Sequence, residues 1–295
     1  MQRNMFVLVS SLVLAASMAS AADTTPARLN LSAADIVSKN IAARGGLQAW
    51  RAVQTISMEG KLGAGGNQRA PIPMPMPGKG DAKLQVPARP KEEVQLPFVM
   101  KMERPRKVRF ELQFKGQTAV QVFDGANGWK LRPFLNRKEV EPFTPDELKV
   151  ASLQPDLDGP LVDYAAKGTQ IDLDGIEKVE DRDAYKLKLT TKSGQTLHVW
   201  IDAQTFLETK IEGQPRRLDG KVHPVEIYYR DYRVVSGLQV PFTLETKVLP
   251  VESGAKVREA PVPSEKIVIE KVVVNPKLDA SLFVKPSVDS APSHN

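Results

Sequence analysis

Residues 108–114 read VRFELQF, and this alternation of apolar and polar side chains indicates the class of fold. A period of two places the apolar and polar side chains on opposite faces of a β-strand. The same alternation recurs at short intervals along the chain, and turn-forming pairs such as those at 124–125 and 127–128 separate the runs. Strands joined by tight turns form an antiparallel sheet. We expect about 10–12 strands, which must curl into a barrel-like sheet or pack as a sandwich to bury their apolar faces.

The apolar positions of the first of these strands are the predicted lining of the enclosed space. They are Val108, Phe110, Leu112 and Phe114, then Val120 and Val122, then Trp129 and Leu131. A curled sheet of this size either fills its interior with such side chains or leaves a cavity for an apolar ligand. The sequence leaves both alternatives open.

Helical signals are few, so the predicted class is mostly β with a few helices (α+β). Ser32 and Asp35 predict a capping box that starts a helix ending at glycines 45–46. Residues 144–147 (TPDE) predict a second helix start, and residues 158–160 (DGP) predict a third helix that ends at Gly168. Because the second and third helices interrupt the strands, we expect them to cover or plug the barrel.

The first residues indicate export. Arg3 precedes an apolar run, and Ala19-Ser20-Ala21 supplies small residues before a cleavage site, so residues 1–21 are predicted to be a signal peptide cleaved near Ala21. A retained membrane anchor is the alternative, but no stop-transfer segment follows. No later stretch approaches the ~18 apolar residues that a transmembrane helix requires.

The composition excludes several classes of function. The chain has no cysteine, which excludes disulfides, thiolate chemistry and a lipid on an N-terminal cysteine. Its net charge is +6, but acidic residues are interspersed throughout, so no nucleic acid partner is expected.

Residues 22–286 are predicted to form one domain, and residues 287–295 a loose tail. Within the domain, residues 63–97 are rich in proline and glycine and are predicted to be a long, largely disordered loop between two strands. A polyproline II ligand for a partner is the alternative for this segment.

Signatures of catalysis and of metal binding are missing. The histidines His198, His223 and His294 lie far apart, and no nucleophile, phosphate-loop or dinucleotide motif is present. Acidic pairs at 156–158 and 172–174 lack the remaining ligands of a calcium loop and are interpreted as turns. The sequence therefore predicts no catalytic residue, no metal, no cofactor and no enzymatic activity.

Several motifs in order resemble the periplasmic lipoprotein carrier family LolA. Residues 104–110 (RPRKVRF), residues 122–125 (VFDG) and Trp129 resemble its central strands, and residues 279–286 around Phe283 resemble its closing pattern. Residues 229–242 resemble the longer LolA-like outer-membrane lipoprotein-sorting proteins. The loop at 63–97 and the low aromatic content of 6% depart from the compact carrier.

This resemblance implies an unclosed antiparallel β-barrel with a helical lid. It also implies a monomeric periplasmic carrier, a transport chaperone that shields acyl chains of lipoproteins or other lipids on the way to the outer membrane. An inner-membrane release complex and an outer-membrane acceptor would be its partners. The alternative is an RseB-type periplasmic sensor that binds lipid or a membrane-anchored regulator, because a fold does not determine a function.

The resemblance also implies a latch for the lid. Arg104 matches an arginine that lies inside the barrel and bonds to backbone groups of the lid, and residues 160–164 match the lid, with Leu161, Val162 and Tyr164 as its candidate residues. A guanidinium has five donors in a fixed fork, so it can bind several carbonyl groups at once. An exposed arginine at a strand entrance is the alternative.

Overall fold

A computed structural model of the chain describes residues 31–64, 93–154, 156–218, 220–251 and 264–287. The predicted signal peptide and residues 288–295 of the predicted tail lie outside the described residues. Most of the predicted loop also lies outside them, but its two ends lie in strands. The first strand extends through Ala64 and the second begins at Val94, so residues 63–64 and 94–97 are not part of a loop.

The described residues form three α-helices and thirteen strands. The helices are α1 (Ala33–Ala43), α2 (Leu47–Arg51) and α3 (Pro145–Leu153). The strands are β1 (Thr55–Ala64), β2 (Val94–Glu103), β3 (Lys107–Phe114), β4 (Gln117–Phe123), β5 (Gly128–Arg132), β6 (Arg137–Pro142), β7 (Gln170–Val179), β8 (Arg182–Thr190), β9 (Thr196–Asp202), β10 (Glu208–Leu218), β11 (Lys221–Val235), β12 (Leu238–Val248) and β13 (Glu265–Val274). Short 3-10 segments span Pro133–Leu135 and Ala280–Phe283.

All thirteen strands belong to one antiparallel sheet with the order β6-β5-β4-β3-β2-β1-β13-β12-β11-β10-β9-β8-β7. The first strand pairs with the last, and β6 and β7 are the two edges, so the sheet is unclosed. The predicted class, mostly β with a few helices and an unclosed antiparallel sheet, is confirmed. The number of strands exceeds the expected 10–12 because both edge strands lack a clear apolar alternation.

The main core lies between the helices and one face of the central strands. Trp50 of α2 packs there against Ile56 of β1, Phe98 of β2 and Phe242 of β12. We call the face of the sheet that carries Ile56, Phe98 and Phe242 the inner face. The predicted capping box starts α1, since the backbone N–H of Asp35 donates to the Ser32 hydroxyl and the backbone N–H of Ser32 donates to the Asp35 carboxylate.

Residues 158–168 do not form the predicted helix. They make a series of turns, in which Gly159, Asp163 and Gly168 have positive φ angles of 81°, 51° and 75°. These left-handed conformations interrupt any run of helical hydrogen bonds. The segment nevertheless covers the core, because the side chains of Leu161 and Val162 are fully buried.

Candidate functional site

A cavity of about 450 Å³ lies between α3 and the inner face of β2 to β5. This volume is in the range of sites that bind small molecules. Its apolar lining consists of Met102, Val108, Phe110, Phe123, Phe143, Val150, Ala151 and Leu157. An elongated apolar ligand would find a mostly apolar wall on both the sheet side and the helix side.

Helix α3 forms the outer wall of the cavity. Thr144 caps it, Pro145 occupies its first turn, and Glu147 completes a capping box, which explains why a short helix forms at this point. None of the residues of α3 is buried, and the apolar side chain of Val150 remains 43% exposed. The helix therefore contributes apolar surface to the cavity that no protein residue covers.

Two contacts hold α3 over the sheet. The buried Lys130 Nζ lies 2.5 Å from both carboxylate oxygens of Glu147, and Nη1 of Arg106 donates to the carbonyl oxygen of Ser152 at 3.0 Å. Burial opposes ionisation of Glu147, but the hydrogen bonds from Lys130 and from the backbone N–H of Thr144 outweigh burial and lower its pKa.

Charged side chains surround the apolar part of the cavity. The basic ones are Arg106, Lys107, Lys130 and Arg132, and the acidic ones are Glu103, Asp146, Glu147 and Asp156. An apolar lining with charges around it suits an amphiphile, whose chain is desolvated while its polar end meets charged groups.

Arg104 links the wall of the cavity to the end of α2 through hydrogen bonds. Its Nε donates to the carbonyl oxygen of Val53 at 2.8 Å, Nη1 to Asp156 at 2.7 Å and Nη2 to Asp158 at 2.7 Å. Burial opposes the charged form of Arg104, but both carboxylates favour it, and the result is a raised pKa. Since Asp156 lines the cavity, Arg104 connects the cavity wall to the end of α2.

No protein-family model and no curated protein matches the sequence. Solved structures similar to the chain include a LolA superfamily protein from Nitrosomonas europaea, at 13% identity over 86% of this chain and 98% of that one, with a TM-score of 0.48. A domain of an outer membrane lipoprotein-sorting protein from Vibrio parahaemolyticus is 11% identical over 84% and 94% of the two chains, with a TM-score of 0.49. A DUF1329 family protein from Desulfovibrio piger is 12% identical over 85% and 97%, with a TM-score of 0.50.

The fold resembles that of these three proteins. At these identities the likeness concerns the fold alone.

The partners of Arg104 in the structure differ from those that the resemblance implied. Among the described residues, its backbone acceptors are in or next to α2, and its contacts with the segment before residues 160–164 go to carboxylates rather than to backbone groups. Leu161 and Val162 are buried, and Val162 packs in the main core with Trp50. Tyr164 is partly exposed, and neither it nor the other two lid residues line the cavity.

Only two of the predicted lining residues, Val108 and Phe110, line the cavity. Leu112 is on the same face and packs beside the main core. Phe114 lies further along β3, where its ring meets Phe134 edge-on at 5.6 Å.

The predicted lining is wrong for four residues on β4 and β5. Directly opposite residues in a sheet share a face, and Val122 lies opposite the polar Arg109 rather than opposite Val108. The residues Val120, Val122, Trp129 and Leu131 therefore form a separate apolar cluster on the outer face, with Val140. Alternation separates the two faces of a strand, but it does not say which of them is the inner one.

The alternation of apolar residues did not predict the contributions of α3 and of Phe123 to the cavity. The capping box predicted the helix, and the adjacent apolar residues Val150 and Ala151 were the available signal for its cavity side. Phe123 was not predicted because it shares a face of β4 with the polar residues Gln117 and Gln121, whereas Val120 and Val122 form the more apolar face.

Two further features are absent from the described part of the chain. It contains no group of three or more histidine, aspartate or glutamate side chains arranged to hold a metal ion. None of its helices is both long enough and apolar enough to cross a membrane.

Proposed function

We propose that this protein binds an acyl chain of a lipid or lipidated protein in the cavity under α3 and shields the chain from water. The observation that carries the proposal is the apolar side of α3, where Val150 and Ala151 face the cavity while the helix buries none of its own residues. The apolar side of the helix is exposed in the empty protein. An apolar ligand in the cavity would remove this surface from water, and that burial favours binding.

The chemistry of the lining favours an aliphatic ligand. Met102, Val108 and Phe110 on the sheet face Val150 and Leu157, and no acid–base pair inside this apolar part suggests a reaction. Each buried methylene contributes about 0.8 kcal/mol. Affinity should therefore increase with chain length until the chain fills the cavity and should then stop increasing.

The cellular role that we propose is that of an exported periplasmic carrier, which moves acyl chains toward the outer membrane. The predicted signal peptide and the LolA-like fold support this proposal. The alternative function, binding of a regulator, can be distinguished from a carrier function by measuring transfer between vesicles. A carrier moves a labelled acylated peptide from donor to acceptor vesicles, whereas a protein that binds the peptide without moving it would be a sensor.

The test uses the mature chain and saturated fatty acids of increasing length, with binding measured by native mass spectrometry and calorimetry. Ala151→Trp should fill the cavity and abolish binding, because Ala151 lies in its wall. Lys149→Trp is the matched control, since Lys149 is an exposed residue of the same helix outside the lining. Binding that is independent of chain length, or equal in both variants, would contradict the proposal.

A further inference from the structure

The four basic and four acidic side chains around the cavity do not all pair with one another. Among the lining acids, Glu103 pairs with Lys107, and Glu147 pairs with Lys130. Asp156 is neutralised by Arg104, which lies outside the lining. The remaining acid, Asp146, is in the first turn of α3, where the helix dipole stabilises a carboxylate.

Arg106 is the basic residue that this pairing leaves over. Within the described residues it contacts no carboxylate, and its Nη1 donates to the carbonyl oxygen of Ser152 at the far end of α3 from Asp146. A guanidinium has five N–H donors, so this contact leaves donors for a ligand.

The backbone at Arg106 determines which substitution can test its side chain. Arg106 lies in the turn between β2 and β3 with a φ angle of 57°, in the left-handed region that favours glycine or asparagine. Asparagine therefore removes the guanidinium without adding strain to the backbone.

A second guanidinium at the cavity also has an unused donor. Arg132 pairs through Nη2 with Glu141, a residue outside the lining, while its buried Nε has no hydrogen-bond partner in the described structure. A buried donor without an acceptor costs free energy unless a ligand or a water molecule supplies one. The buried Nε of Arg132 requires an acceptor and the exposed guanidinium of Arg106 can bind one, whereas a cationic ligand would supply none.

We infer that the cavity selects a single-chain amphiphile with an anionic head group, and that Arg106 receives the head-group oxygens. This inference rests on the proposed acyl-chain binding. The chain lies along Val108 and Phe110 on the sheet and Val150 on α3, and the carboxylate or phosphate meets Arg106 where the turn between β2 and β3 approaches Ser152. A charge-assisted hydrogen bond to this guanidinium discriminates against neutral and cationic heads of the same chain length.

The test compares three probes with the same twelve-carbon chain: laurate, glycerol monolaurate and dodecyltrimethylammonium. Calorimetry at low salt and about pH 8, where the carboxylate is ionised, gives their affinities. We expect the mature protein to bind laurate about tenfold more tightly than the monoglyceride and the cation least well. Arg106→Asn keeps a residue that tolerates the left-handed backbone and should weaken laurate binding much more than monoglyceride binding, because both ligands lose the support that Arg106 gives to α3 but only laurate loses the charged partner.

Lys115→Asn is the matched control. Lys115 is also a basic turn residue with a positive φ, 49°, but it lies at the β3–β4 turn outside the cavity lining, so its replacement should change no affinity. Arg106→Lys should keep part of the preference, because it keeps the charge without the planar fork.

The outcomes separate the two proposals. If laurate and the monoglyceride bind equally well and Arg106→Asn changes neither, acyl-chain binding stands and anion selection is wrong. If Arg106→Asn weakens both ligands equally, Arg106 only supports α3, and the inference is again wrong. If no probe binds, the proposed function itself fails.

Discussion

Nη2 of Arg104 lies 2.7 Å from Oδ2 of Asp158, and the carboxylate of Asp158 is almost completely buried, with 3% of its side chain exposed. Lys167 Nζ approaches the other carboxylate oxygen at 2.6 Å, and Nη1 of Arg44 donates to the Asp158 carbonyl oxygen at 3.1 Å. Three cations from separate parts of the chain thus fix the start of the turn segment that covers the core. A buried carboxylate needs such partners because its desolvation is costly.

Replacing Arg104 with alanine should loosen this segment. The variant removes a partner of Asp158 and of Asp156 and leaves the carbonyl oxygen of Val53 without its donor. We expect a loss of about 1–3 kcal/mol in the free energy of unfolding. Hydrogen exchange should accelerate in residues 160–168 and remain slow in β3.

Arg104→Lys tests the geometry of this contact. An ammonium group lacks the planar fork, so the variant should recover less than half of the lost stability. Arg137→Ala is the control, because Arg137 is 53% exposed and its pair with Glu141 should contribute about 0–1 kcal/mol. If exchange in residues 160–168 is the same in Arg104→Ala and in the unmodified protein, then Arg104 does not hold the segment.

A second prediction concerns Gly60 in β1, where the pairing with β13 is irregular. A Cβ atom at this position would lie 2.2 Å from the carbonyl oxygen of Val268, which is backbone and cannot swing aside. Gly60→Ala should therefore destabilise the protein by about 1–3 kcal/mol in urea unfolding. Gly116→Asn is the control, since nothing lies near its Cβ and asparagine tolerates its φ of 71°, so equal losses in both variants would refute the explanation.

The sequence predicted the parts of the fold that local patterns determine. Alternation identified the central strands, and the capping residues Ser32 and Thr144 located the starts of α1 and α3. Alternation was weak in β6 and β7, because an edge strand buries little apolar surface and so gives little signal. The predicted helix after Asp158 is wrong because Gly159 and Asp163 adopt left-handed conformations, and Asp163 is bound there by Arg51 of α2.

The site was harder to predict than the fold. Its wall depends on the register that places Val108 opposite Phe123 and on the position of α3 over β5, and both are long-range relationships. Val108 and Phe110 were available from alternation, whereas the side of the sheet on which Val120 and Val122 lie was not. That Arg106 pairs with no described carboxylate became apparent only when the ion pairs of its neighbours were known.

A third prediction concerns the connection between β1 and β2. These strands pair up to Ala64 opposite Val94, so their ends lie side by side. Replacing residues 65–93 with Asn-Gly should join them through a two-residue hairpin turn. Circular dichroism should keep its β-sheet signal and the melting temperature should stay the same or increase slightly, because closing a shorter connection costs less entropy. Loss of the signal would mean that the replaced segment is needed for the fold.

The last prediction concerns the pH dependence of the contact between Glu147 and Lys130. The pKa of Glu147 in the folded protein is below its ordinary value of 4.5, since hydrogen bonds from Lys130 and Thr144 outweigh the effect of burial. A carboxyl group with a lowered pKa stabilises the fold above the unfolded-state pKa, and its contribution disappears as the pH falls through the folded-state pKa. The contact therefore stabilises α3 near neutral pH and is lost in acid below about pH 4.5.

Glu147→Gln should destabilise the protein by about 1 kcal/mol near neutral pH, because the Glu147 side chain is 39% exposed and solvent screens the pair. Glutamine keeps the capping box, so the loss reports on the ion pair with the buried Lys130 rather than on the helix start. The difference in unfolding free energy between the two proteins should shrink as the pH is lowered from 6 to about 3, whereas Glu139→Gln, an exposed change on β6, should give no such trend. A difference that stays constant across this range would mean that the carboxylate charge of Glu147 does not hold α3 over the cavity, and that Lys130 is stabilised there by other groups.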